Sequence, residues 1–138
     1  TVSSLLRDSG YHTYMTGKWH LGYEPEFQPQ SRGFEKSFVL LQGGASHFND
    51  RIGVSQGYSA DYIENGKQVI LPDTFYSSNF YTDKMINYLK EDINDDKPFF
   101  AYLAYTAPHW PLQVPDEDMN LYKGYYDLGY EHVRQNRI

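Results

Sequence analysis

No cysteine occurs anywhere in the 138 residues. That excludes a disulfide framework and a cysteine nucleophile within the chain, and it leaves the compartment unmarked. Long apolar runs are missing too, since no stretch reaches the roughly 18 apolar residues that a membrane-spanning helix needs. Basic residues are few, twelve against eighteen acidic ones, for a net charge of −6. A nucleic-acid partner is therefore not expected, because phosphate binders carry a basic stripe, although a local cationic site is compatible with an acidic chain. Neither an initiator methionine nor a basic-then-apolar leader precedes Thr1, and the chain starts in mid-pattern. It reads as an internal piece of a longer protein.

What is present suffices for one domain, which at this length buries roughly two thirds of its unfolded surface. Residues 1–138 are read as a single partial domain, and 40% of them are hydrophobic. Fourteen tyrosines stand out. A tyrosine ring suits sugar or aryl ligands, but it fills half-buried sheets equally well, and that second reading is the stronger one from sequence.

The pattern predicts two helix-then-strand units. Val2, Leu5 and Leu6 fall at helical spacing behind Thr1, Ser3 or Ser4 as caps, and Gly10 offers a left-handed stop before a strand from Tyr11 to Trp19. Further on, Phe80, Tyr81, Met85, Ile86, Tyr88 and Leu89 predict a helix from Ser77 or Ser78 to about Asp92. The run Phe99–Tyr105 then reads as a strand buried on both faces. Arg32–Leu41 predicts a turn and a strand, and Asn65-Gly66 between Tyr62-Ile63 and Val69-Ile70 predicts a type I′ hairpin. The fold class is α/β. Asp92–Asp96 mimics the start of a calcium loop, but Lys97 and Leu103 stand where Gly and Glu are needed, so it reads as a solvated loop.

Three stretches carry candidate chemistry. If the first strand persists through His20, Lys18 and His20 share one face and Trp19 takes the other. An ammonium beside an imidazole suits an anion such as sulfate or phosphate; two solvated residues on an edge strand are the plainer alternative. The loop Gln42–Gly57 is polar and glycine-rich, lacks the Gly-Lys-Ser/Thr ending of a phosphate-cradling loop, and offers His47 as a candidate substrate contact. His109 sits just past the Phe99–Tyr105 strand, where ligands collect in open α/β sheets, bracketed by Pro108 and Pro111 that restrict its backbone.

The first stretch resembles a signature of the sulfatase family, Gly-Tyr-x-Thr-x-x-x-Gly-Lys-Trp-His, matched at Gly10, Tyr11, Thr13, Gly17, Lys18, Trp19 and His20, with Thr16 where the family has a small aliphatic residue or Ser. Ala107-Pro108-His109-x-Pro111-Leu112-x-x-Pro115 resembles the family's second histidine segment, and Leu121–Arg137 resembles the helix that follows it in bacterial arylsulfatases, with His132 an exposed helical residue. The resemblance implies an alkaline-phosphatase-like mixed sheet flanked by helices, carrying a small β-hairpin insertion. It implies hydrolysis of sulfate esters through a formylglycine nucleophile and calcium. By position, Lys18 would hold the sulfate and the formylglycine, His20 would hydrogen-bond the formylglycine hydroxyl and help expel sulfate, and His109 would contact the sulfate near the leaving oxygen.

The nucleophile motif and the metal-binding Asp pairs of that family have no counterpart here. In Pro29-Gln30-Ser31-Arg32 the place of the nucleophile is taken by Phe27. This chain alone is thus expected to be inactive, the calcium ligands and formylglycine belonging to the parent enzyme. Expected partners are a sulfate-ester small molecule or a sulfated glycan, with self-association through exposed sheet edges. Family members are often periplasmic, secreted or lysosomal, and nothing in the chain selects among these. Two other readings stand beside the sulfatase: a phosphate or phosphonate ester hydrolase of the same superfamily, and a non-catalytic module that binds sulfated glycans.

Overall fold

In the segment His12–Lys18, Tyr14 and Thr16 alternate with Thr13, Met15 and Gly17, and both sets are buried. Such a strand belongs in the middle of a parallel sheet. A computed structural model, describing residues 1–55 and 57–137, places it there as β1. β1 pairs in parallel with β2 (Lys36–Leu40) on one side and with β5 (Phe99–Ala104) on the other. β3 (Tyr62–Glu64) runs antiparallel to β2, and β4 (Lys67–Gln68) antiparallel to β3, giving the order β4-β3-β2-β1-β5. The turn between β3 and β4 has positive φ at both Asn65 (50°) and Gly66 (80°), as a type I′ turn requires. The expected hairpin therefore forms, and it extends the main sheet.

Helix α1 (Val2–Asp8) is capped by the Thr1 side chain, which accepts from the Ser4 amide at 3.2 Å. It ends in a Schellman motif: Tyr11 N–H donates to Leu6 C=O (3.0 Å), Gly10 N–H donates to Arg7 C=O (2.9 Å), and Gly10 takes φ 91°. Helix α2 (Ser77–Glu91) lies on the opposite face of the sheet. It buries Ser77, Tyr81, Met85 and Tyr88, one stripe at spacings of three and four. That stripe packs with Tyr14, Phe38, Leu40, Tyr62 and Phe75, while Met15, Trp19, Phe34, Val39, Leu41 and Ile63 form the core of the other face. Four of the tyrosines are thus core, and burial pushes the Tyr81 hydroxyl up to about 12.

Two expectations need correction. β5 is not buried on both faces: Phe99 and Tyr102 are 58% and 48% exposed, because the strand pairs only with β1 and no element covers its outer side among the described residues. The tail is not one helix either. It splits into α3 (Asp116–Asn120) and α4 (Tyr130–Gln135), separated by turns in which Gly124 and Gly129 take positive φ; His132 is exposed on α4.

The Asp92–Asp96 loop is more than solvated. At the end of the sheet away from His109, His12 lies between Glu35 (Nδ1 to Oε2, 2.9 Å) and Asp95 (Nε2 to Oδ2, 2.6 Å). Asp92 is held by Lys36 at 2.6 Å and by the Tyr14 hydroxyl, which keeps its carboxyl below the usual range. Hydrogen bonds to Asp95 and then Glu35 raise the His12 pKa above its ordinary 6.5. Protonated His12 is favoured in the folded chain, so its stabilisation is complete below 6.5 and is lost as pH rises through the raised folded value. Thermal melts of the wild type should show stability declining across that window, and His12→Gln should flatten the decline; an identical slope in both proteins would contradict this.

Candidate active site

β1 stops at Lys18, yet the chain keeps its course beside β2, since Trp19 N–H donates to Leu40 C=O (2.9 Å) and His20 N–H to Leu41 C=O (3.1 Å). Trp19 turns into the α1-side core, edge-on to Phe34, and its indole N–H donates to the Phe27 carbonyl at 3.1 Å. His20 then takes φ 55°, the left-handed region that a non-glycine residue rarely occupies. The alternation expected from Lys18 to His20 is broken there. Lys18 stays on the face of Tyr14 and Thr16, half-buried, while the exposed His20 imidazole comes against Gly43. Lys36, Arg51 and Lys84 each hold a carboxylate, but Lys18 holds none among the described residues. A half-buried ammonium without a counter-charge is costly unless an anion joins it.

His109 follows β5. Its N–H donates to Thr106 C=O (2.9 Å), and the Thr106 hydroxyl lies 3.4 Å from that of buried Tyr81. The His109 Nδ1 pairs with the Trp110 carbonyl at 2.5 Å. Nδ1 must carry the proton there, so Nε2 is the free nitrogen of the neutral ring.

His20 and His109 meet in one cleft of about 750 Å³, whose floor is the pair Gly43-Gly44 just beyond β2. A β-carbon on Gly43 would stand 2.5 Å from His20 Cε1, and one on Gly44 would stand 2.8 Å from His109 Nδ1. The two glycines are the seats of the two imidazoles, because only a residue without a side chain lets the rings approach. Lys18 is not in the cleft wall.

His47 is placed differently from the sequence expectation. It is 2% exposed and lies behind the cleft, with Nδ1 2.7 Å from the Ser77 hydroxyl and Nε2 3.4 Å from the His109 carbonyl. With Ser77 donating to Nδ1, Nε2–H donates to that carbonyl, so His47 ties the His109 segment to the start of α2. Gln113 reinforces the tie by accepting from the His47 amide at 2.8 Å. Tyr23, Gln42, Tyr58 and Asp61 line the cleft without having been singled out from the sequence. Only the Gly43-Gly44 pair beside a strand end was a readable sign of a close approach.

The sulfatase family model matches residues 1–137. The chain belongs to the sulfatase family. It is 45% identical over 140 residues to an arylsulfatase of Klebsiella aerogenes, covering 100% of this chain and 30% of that relative. Among solved structures, Ps i-CgsB in complex with k-i-k-neocarrahexaose superposes with a TM-score of 0.77 at 35% identity, covering 87% of this sulfatase chain and 29% of that one. BT4656 in complex with its substrate D-glucosamine-2-N,6-O-disulfate gives 0.65 at 29% identity, covering 91% and 22%. The chain thus spans less than a third of the relatives it matches. These neighbours agree with the mixed sheet and flanking helices of an alkaline-phosphatase-like fold.

Proposed function

We propose that these residues form the central part of a sulfatase catalytic domain, and that the whole enzyme hydrolyses sulfate esters with Lys18, His20 and His109 facing the sulfate. The observation that carries this reading is the convergence of His20 and His109, far apart in sequence, on adjacent glycines in one cleft beside the carboxyl ends of parallel strands. Sulfate oxygens carry negative charge that grows on the leaving oxygen as the ester breaks, and preorganised donors stabilise it most in a site that keeps water out. Lys18, at the end of β1 and outside the cleft wall, would have to turn its ammonium toward the sulfate to supply a positive charge. The His109 ring, locked by Trp110, presents Nε2 for donating or accepting a proton, and imidazole does either near neutral pH.

The family resemblance implies calcium and formylglycine, but the residues here do not fit a metal centre. No group of three or more His, Asp or Glu among the described residues is placed to hold an ion. On this reading calcium and formylglycine both come from other parts of the enzyme. The molecules bound in two structural neighbours, k-i-k-neocarrahexaose and D-glucosamine-2-N,6-O-disulfate, support a sulfated carbohydrate substrate beside the aryl sulfate that the Klebsiella relative's name suggests.

The test is turnover by the full-length protein of p-nitrophenyl sulfate and p-nitrophenyl phosphate side by side. Preference for the sulfate is expected. Preference for the phosphate would move the protein to a sister branch of the superfamily, and turnover of neither would leave a binding module.

A further inference from the structure

The cleft is much larger than a sulfate group, and the wall beyond the two histidines has its own chemistry. Tyr23 and Tyr58, 54% and 71% exposed, offer flat apolar faces, and between Gln42 and β3 stands Asp61. Asp61 is the sole acid among the described lining residues. Its position is fixed from several sides. Its amide donates to the Gln42 side-chain carbonyl (2.8 Å), its carbonyl accepts from the Leu41 amide (2.9 Å), and its Oδ2 accepts from the Gln42 amide group (2.7 Å). Arg51, outside the cleft wall, pairs with Oδ1 at 3.4 Å and offsets part of its charge, while the carboxylate remains 42% exposed. A carboxylate oxygen accepts more than one hydrogen bond, so Asp61 keeps acceptor capacity toward the cleft.

We propose that Asp61 is a specificity-determining residue: it accepts a hydrogen bond from a free hydroxyl on the sugar ring that bears the scissile sulfate, and it disfavours rings carrying a second sulfate at that place. The proposal rests on the sulfate-ester reading above. A pinned acceptor rewards the hydroxyl that matches it, and a like charge brought against it is repelled. The histidine end of the cleft thus selects for one sulfate while the Asp61 end selects against another.

The experiment uses the full-length enzyme with p-nitrophenyl sulfate and with galactose and N-acetylglucosamine esters bearing one sulfate or two on neighbouring carbons. The wild type should favour the singly sulfated sugar in kcat/KM, and added salt should narrow that preference through screening. In Asp61→Asn the ratio of disulfated to monosulfated kcat/KM should rise about two- to fivefold, the size of one exposed charge interaction, and Asp61→Glu should bring it back toward wild type. An unchanged ratio, or equal losses on both sugars, would overturn the proposal and leave Asp61 a structural residue. So would a wild type that turns over both sugars equally whatever the salt, or one that acts on p-nitrophenyl sulfate but on no sugar. Failure on p-nitrophenyl sulfate and every sugar alike would overturn the sulfatase reading with it.

Discussion

Alanine at His109 in the full-length enzyme is expected to lower kcat/KM for an aryl sulfate by about 10²–10⁴, the range that one positioned proton-transfer group contributes. Alanine at His20 should cost a similar amount. The loss should fall mainly on kcat, because a group that acts on developing charge contributes little to binding the ground state. Both rings are exposed at the cleft, so neither truncation opens a cavity in the core. The double variant should lose much less than the product of the two single losses if the rings act as one unit. Steady-state kinetics, with melting temperature as the control for folding, reads all of this. A loss below about threefold at either position would remove that imidazole from the reacting group, since positioned acid–base groups are worth far more.

The largest stability effect is expected at Gly17. A β-carbon there would stand 1.9 Å from the Ala104 carbonyl oxygen and 2.5 Å from its carbon, both rigid backbone of β5, and Gly17 also takes φ 110°. Overpacking and a left-handed backbone penalise alanine together, for a cost of about 3 kcal/mol or more. Gly17→Ala should therefore separate β1 from β5, displace Lys18, and give a protein that unfolds early or accumulates insoluble. Gly10 is the matched control: its φ is 91° but nothing lies within 4 Å of its missing side chain. Gly10→Ala should carry only the backbone cost, about 1–2 kcal/mol. Equal destabilisation at the two positions in chemical denaturation would contradict the steric account.

The elements legible in the sequence are those whose signals are local. The Thr1 cap, the Gly10 stop, the Asn65-Gly66 turn and the span of α2 each depend on neighbours a few residues away, and each forms as expected, although Ile86 of the expected stripe is left exposed. β5 misleads because an apolar run records how much surface is to be buried without recording what buries it. The tail misleads because the family resemblance implies one helix, and Gly124 and Gly129 take positive φ and break it. In the site, residue type alone could not separate His109 in the cleft from His47 behind it. The difference lies in burial and in the Ser77 hydroxyl, which comes from another element. The left-handed turn at His20 and the tight seat at Gly43 are tertiary facts, and strand alternation does not carry past the end of β1 at Lys18.

The measurement that bears most directly on the central claim is a crystal structure of the full-length enzyme with sulfate bound. One sulfate should lie in the cleft above Gly43-Gly44, within hydrogen-bond distance of His20 and His109 and with the Lys18 ammonium turned toward it. A sulfate bound away from that cleft, or held there without either imidazole, would contradict the account.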